Sequence, residues 1–477
     1  MNSPSVSPHS SADLWPAPLA DTPVRATVSV GGSKSITNRA LVIAALSSTP
    51  SVIHGALHSR DTELMINALT AMGADIDSAA KQHGAPNHTV QVTPRMLRGG
   101  TVECGLAGTV MRFVPPVAAT ANGTVFFDGD EEARVRPMAP ILNALRGLGV
   151  HVSGDRLPFI VNPEGAVAET ADADAPYRDI GGAIEVDSSS SSQFISGLLL
   201  AATRFGKGLT LKPQGEVPSQ PHIDMTVAML KDAGVNITIT DFEDSKIYHV
   251  SPGEIKGRTW YVEPDLSNAT PFLAAAAVTG GRVTVNHWPK ETTQAGDQIR
   301  GVLEKMGCTI EFVPHGDHSQ DLVVTGPEKL KGIDLDMSDI GELAPTVAAI
   351  ATLASTPTRL TGIAHLRGHE TNRLAALTTE INRIGGNAKE LQDGIQIHPV
   401  PVAEMTGGEW MSYADHRMAT AGAIIGLKVP NMLIENIGTT AKTMPNFDMR
   451  WLDMLNVATP SPAELEAEMD AMHRGDF

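Results

Sequence analysis

The sequence predicts an α/β fold in two domains, each of three strand–helix–strand–helix–strand–strand repeats. Three observations carry this: a helix start that recurs six times, a second helix that repeatedly ends in glycine, and short alternating apolar segments between them.

The recurring starts combine small, hydroxyl-bearing or charged residues with an apolar helix body. They are KSITNRALVIAALS from Lys34, GTVMRFVPPVAATA from Gly108, SSQFISGLLLAATR from Ser191, SNATPFLAAAAVTG from Ser267, IGELAPTVAAIATL from Ile340 and ADHRMATAGAIIGL from Ala414. Successive starts lie 74, 83, 76, 73 and 74 residues apart. Most are followed by an amphipathic helix closed by glycine: Gly73, Gly149, Gly234, Gly307 and Gly385. A glycine just past a helix end reads as a left-handed cap. Segments such as ATVSV, VTVNH and IQIHP alternate in polarity, as strands do. Three repeats fall on each side of a break near Glu263, so residues 33–262 form one expected domain and 263–457 most of the other.

Composition limits the function. The 477 residues exceed one typical domain, and 42% apolar content supplies real cores. A net charge of −18 argues against a nucleic-acid partner, whose backbone demands a basic face. Two cysteines, Cys104 and Cys308, make neither a disulfide framework nor a metal spacing, and a reducing cytoplasm is the expected setting. Apolar runs such as Leu343 to Ala354 are shorter than the roughly 20 residues that span a bilayer. Residues 1–23, rich in Ser and Pro, read as a disordered lead-in, and 458–477 as an acidic tail.

The helix bodies read as core, but their first turns read as a site. Helix N-termini carry unsatisfied N–H groups and the positive dipole end, so they attract anions. Lys34, Ser35, Thr109, Ser191, Ser192, Glu342, His416 and Arg417 all fall at such ends. Six ends could converge on one cleft between the domains. GGSKSITNR, SSSSSQF, EARVRP, HETNR, ADHRM and TTAKTMP each have an ordinary reading as a cap, a solvated arginine pair or an ion-paired helix face. Together they place Lys34, Arg39, Arg134, Arg373, Arg417 and Lys442 in or beside the repeats' special turns.

In order, GSKSITNRAL, GLAGTVMRF, RVRP, SSSSSQF, SQPHID, IGEL, HETNRL, DHRMA and TAKTMP resemble the enolpyruvyl transferase family, in its 5-enolpyruvylshikimate-3-phosphate synthase branch, from about Val24 to Leu455. The resemblance implies two inside-out α/β domains with the active site in the cleft between them. A first strand from Arg25 to Val30 would join the second domain, which then takes in 24–32. It implies transfer of enolpyruvate from phosphoenolpyruvate to the 5-hydroxyl of shikimate 3-phosphate through a tetrahedral intermediate. It implies no metal or organic cofactor, and no partner beyond the two substrates; a monomer is expected.

Carried over by position, Ser191, Ser192 and Ser219 would hold the shikimate phosphate. Arg39 with Ser35 would hold its carboxylate, and Gln193 would pack on the ring and reach both substrates. Arg134, Arg373, Arg417 and Lys442 would clamp phosphoenolpyruvate beside Gly108 and Thr109; Gly108 would leave the pocket open to glyphosate, while Leu106 and Phe113 are unusual neighbours for that, and sensitivity to it stays open. Lys34 would touch both substrates, and Glu342 would face the 5-hydroxyl. Lys34, Glu342, His369 and Glu370 are the catalytic candidates, with the division of protons among Lys34, Glu342 and His369 left open.

Several positions depart from the common pattern of the family. Glu342 stands for Asp, His222 for Tyr, Asn372 for Asp, Leu106 for Asn and His369 for Lys. The arginine motif is shorter, so Arg134 matches only across a gap, with Arg136 as the alternative. GLAGT, IGEL and RGHET together look actinobacterial. The rival branch acting on UDP-N-acetylglucosamine uses a Lys–Asn pair where Lys34 and Ser35 stand, and a cysteine in the arginine loop; residues 128–138 contain none. A non-catalytic anion-binding protein on the same scaffold would be free to lose Lys34, Glu342 or the arginines, and all are present.

Overall fold

The computed structural model describes residues 14–78, 87–162, 179–243, 245–315 and 319–456. The acidic tail and residues 1–13 of the lead-in lie outside the described residues.

The six recurring segments form helices at Lys34–Ala45, Gly108–Ala118, Gln193–Ala201, Leu266–Thr279, Ala344–Thr352 and His416–Gly426. Their bodies are apolar on every side, and such a helix must be covered on every side. Every residue of Gly108–Ala118 and of Ala344–Thr352 is buried. The first three helices pack on one another, and so do the last three. Two hydrophobic cores result. One gathers residues from Ile36 to Trp260; the other gathers Val24 to Val30 and Leu266 to Met454.

Six sheets coat this interior among the described residues, five of four strands and one of three. Their outer strands remain open to solvent: Thr309–His315 is exposed at all but one position. Each sheet contains one parallel pair. Two of these pairs close the chain on itself. Thr259–Tyr261 returns to lie beside the strand Ser51–Leu57, and Arg25–Val28 lies parallel to Arg282–Val285. The strand Arg25–Val28 therefore lies in a sheet of the second core.

The reading of residues 1–23 as disordered is corrected within the described part. Leu14–Pro16 forms a strand antiparallel to Leu433–Glu435, and Trp15, Ala17 and Ala20 pack against the second core. Ser and Pro content hid this short segment, in which one tryptophan supplies a large area to bury. The five predicted capping glycines all take positive φ, from 85° at Gly234 to 105° at Gly307. The remaining second helix, Phe447–Met454, is followed by Asn456 at φ 54°.

Two strands of chain cross side by side between the cores. Gly32 bridges Pro264, and Ser33 N donates to Glu263 O at 2.7 Å. A Cβ at Gly32 would lie 2.1 Å from Gly55 O, so only glycine permits this approach. The crossing sets Lys34 directly beside the second core's first helix: Lys34 N donates to Asp265 Oδ2 at 3.0 Å.

Candidate active site

One cavity lies where the two cores face each other, and all six recurring segments deliver to it a residue in or just before the first turn of their helix. Lys34, Gly108, Gln193, Ser267, Glu342 and Arg417 are those residues. Five cationic side chains line it, Lys34, Arg112, Arg136, Arg373 and Arg417, against three carboxylates, Asp265, Glu342 and Glu370. An acidic protein thus holds a local cationic surface at six positive dipole ends, which suits an anion.

The first core supplies one wall. Ser33 caps the helix Lys34–Ala45 by accepting from Ile36 N, which leaves Lys34 and Ser35 at the rim. Lys34 Nζ pairs with the buried Asp61 at 3.2 Å. Thr109 Oγ1 accepts from Asn38 Nδ2 at 2.6 Å. A Cβ at Gly108 would stand 2.9 Å from Arg112 Nη1, 3.2 Å from Arg136 Nη2 and 3.2 Å from Gln193 Oε1. Glycine there is what lets two guanidinium groups converge. Arg112 Nη1 donates to Gln193 Oε1 at 3.4 Å, and its guanidinium lies over the Phe194 ring. The Nε atoms of Arg112 and Arg136 are buried with no partner among the described residues.

The second core supplies the other wall. Glu342 sits in the single turn Gly341–Leu343 that leads into Ala344–Thr352, with Oε1 3.4 Å from His222 Nε2. Arg373 begins the helix Arg373–Arg383, capped by Asn372. Its guanidinium binds Asp415 through Nε at 2.7 Å and Nη2 at 3.1 Å, Glu370 at 2.9 Å, and His369 Nδ1 at 3.2 Å. Lys442 Nζ grips the other oxygen of Glu370 at 2.6 Å. Arg417 follows the Asp415 cap at the start of its helix; its guanidinium makes no hydrogen bond among the described residues and faces the cavity.

These contacts fix the charge states. Burial alone would raise the Glu342 carboxyl, but the contact with His222 and the field of Arg417 bring it down to about 2. It is a carboxylate at neutral pH. Burial would also raise Glu370, yet Lys442 and Arg373 hold it well below the usual carboxylate range. Burial and then Arg373 push His369 well below the ordinary imidazole range, and burial and then Arg417 do the same to His416. With Arg373 donating to its Nδ1, neutral His369 carries its proton on Nε2.

Most predicted residues meet here: Lys34, Ser35, Gly108, Thr109, Ser191, Gln193, Glu342, His369, Glu370, Arg373 and Arg417 line the cavity. Five do not. Arg134 points outward and pairs with Asp128 through Nε at 3.0 Å and Nη2 at 2.8 Å, while Arg136 lines the cavity. Of the two arginines in this motif, Arg136 is therefore the one that faces the cavity. Arg39 is buried behind the wall, bound to Thr226 Oγ1, Ser35 O and His222 O. Ser192 is buried, whereas its neighbours Ser190 and Ser191 line the cavity. Ser219 is a left-handed cap whose N–H donates to Ser338 O at 2.8 Å. Lys442 does not line the cavity and is hydrogen-bonded to Glu370, which does.

Sequence reading missed Arg112, Asp61 and Asp415 in this role. Arg112 had a signal: a lone charge inside the apolar helix GTVMRFVPP is out of place unless something needs it. Asp61 had none, because its link to Lys34 spans 27 residues.

A family model described as EPSP synthase (3-phosphoshikimate 1-carboxyvinyltransferase) matches residues 19–451. The chain belongs to the EPSP synthase family. A Mycobacterium ulcerans relative named 3-phosphoshikimate 1-carboxyvinyltransferase is 49% identical over 453 residues, covering 94% of this chain and 99% of that one. Two solved EPSP synthases from Acinetobacter baumannii share the fold at 22% identity. Their TM-scores are 0.71 and 0.70, over 92% of this chain and 96% and 97% of theirs. The mycobacterial relative fits the actinobacterial look of GLAGT, IGEL and RGHET.

Proposed function

We propose that this chain transfers the enolpyruvyl group of phosphoenolpyruvate to the 5-hydroxyl of shikimate 3-phosphate, releasing phosphate, in the shikimate pathway that leads to chorismate and the aromatic amino acids. One observation carries the reading for a member of this family: six helix N-termini and five cations surround one cavity that also holds an ionised Glu342. Two phosphates and two carboxylates would need such a surface, and in a closed cleft its cations act at low dielectric.

Ser190 and Ser191, at the helix start before Gln193, hold the shikimate phosphate, and Ser35 meets the carboxylate. Arg112, Arg136, Arg373 and Arg417 clamp phosphoenolpyruvate beside Gly108 and Thr109. Arg39, Ser192 and Ser219 brace the wall behind them. Glu342 removes the proton of the 5-hydroxyl as its oxygen bonds to C2 of the enol. Lys34 gives a proton to C3, because His369, held neutral by burial and Arg373, is the poorer donor. The C2–O bond to phosphate then breaks, phosphate leaving with the proton that Glu342 had taken, while C3 returns a proton to the now neutral Lys34 amine and the double bond forms again. Arg136 and Arg417 stabilise the charge that gathers on the departing phosphate.

The two jaws of the cleft are 33–262 and 24–32 with 263–457, a division the two separate cores support. The proposal includes a cytoplasmic setting, which two buried free thiols suit, and a monomeric state that light scattering would test. Mixing the chain with phosphoenolpyruvate and either shikimate 3-phosphate or UDP-N-acetylglucosamine decides the acceptor. Phosphate should appear with the first; release only with the second overturns the proposal.

A further inference from the structure

His222 and Glu342 meet across the cavity although 120 residues separate them. His222 belongs to the first turn of Gln220–Asp232, whose side chains feed the first core; Glu342 leads into a helix of the second core. Beside them, the Ser219–Ser338 backbone bond ties the same two elements.

The His222 backbone is fixed. Its N–H donates to Ser219 O at 3.0 Å, and its carbonyl accepts from Arg39 Nη2 at 3.0 Å and Thr226 Oγ1 at 2.9 Å. Arg39 is itself pinned by Thr226 Oγ1 at 2.7 Å. The imidazole thus stands on a buried, cross-braced base. On its own side the Glu342 carboxylate meets, among the described residues, its own backbone N–H. The His222 contact is its one hydrogen bond to another side chain among the described residues, and Oε2 is buried without a partner.

We propose that His222 is a positioning residue for Glu342: its Nε2–H holds Oε1 from across the cleft and leaves Oε2 to take the proton of the acceptor hydroxyl. A carboxylate on a single turn rotates freely unless something fixes it, and a misplacement of about 1 Å can cost about a hundredfold in rate. The inference rests on the reading of Glu342 as the base.

The test uses the full chain in the phosphate-release assay with shikimate 3-phosphate. His222→Phe removes the donor and should lower kcat about 30-fold, the loss of one hydrogen bond to a charged group, with each KM changed less than about threefold. His222→Gln, whose amide reaches the same oxygen, should recover kcat to within about threefold of the parent. His222→Asn, too short to reach, should stay low; equal kcat in the Asn and Gln variants overturns the proposal even if the Phe variant does not fold. In the Glu342→Gln background, His222→Phe should add no further loss, because the two act as one unit. Losses that multiply, or a change confined to KM, overturn it. An unaltered kcat in Glu342→Gln alone would instead remove Glu342 as the base.

Discussion

Arg373 and Asp415 form a two-point ion pair, Nε to Oδ2 at 2.7 Å and Nη2 to Oδ1 at 3.1 Å, with both side chains buried. Asp415 also caps the helix that carries Arg417, by accepting from Arg417 N at 2.9 Å. One carboxylate therefore places two of the cavity's arginines. Removing it leaves a buried guanidinium short of a counter-charge. Asp415→Ala should lower unfolding stability by about 3–5 kcal/mol in urea titrations, and should weaken phosphoenolpyruvate binding as well.

Arg136 and Arg134 separate cleanly by placement. Arg136→Ala should raise the KM for phosphoenolpyruvate about 10- to 100-fold, the range for one hydrogen bond to a charged group. Arg134→Ala should change it less than about twofold, because its exposed pair with Asp128 holds nothing in the cavity. Steady-state kinetics on the two variants decides between them.

That pair also shows how far the sequence could be read. Spacing and residue type marked which turns face the cleft, because a helix start has the same physical meaning in every repeat. They did not say which of two arginines two positions apart turns inward, since such neighbours point to different sides. The resemblance made Arg39 a ligand by its position in GSKSITNR; packing against Phe113 instead turns it toward backbone carbonyls. Arg112 was legible as a misplaced charge, whereas Asp61 and the strand at Leu14–Pro16 depend on partners 27 and about 420 residues away.

Gly108 is tight rather than strained. The atoms a Cβ would meet are the ends of flexible side chains, Arg112 Nη1 and Arg136 Nη2 among them, so the fold can yield. Gly108→Ala should keep its melting temperature while the displaced guanidinium groups raise the KM for phosphoenolpyruvate about tenfold.

The pH dependence of stability follows from Glu342 and His365. An unfolded Glu titrates near 4.3 and Glu342 in the fold at about 2, so the unfolded chain binds protons first. The stability Glu342 contributes is complete above about pH 4.3 and is lost as pH falls through about 2. Burial chiefly lowers His365 to about 4 against an unfolded value near 6.5, so its contribution is lost as pH falls from about 6.5 to about 4. Glu342→Gln should flatten the lower part of the stability–pH curve and His365→Asn the upper part, measured by urea unfolding at stepped pH.

Phosphorus NMR of the full chain with equal shikimate 3-phosphate and phosphoenolpyruvate reads the reaction most directly. The phosphoenolpyruvate resonance should decay as inorganic phosphate grows at the same rate, with the shikimate phosphate shifted but retained. Persistence of phosphoenolpyruvate, or inorganic phosphate drawn from the shikimate phosphate, would contradict enolpyruvyl transfer at this cavity.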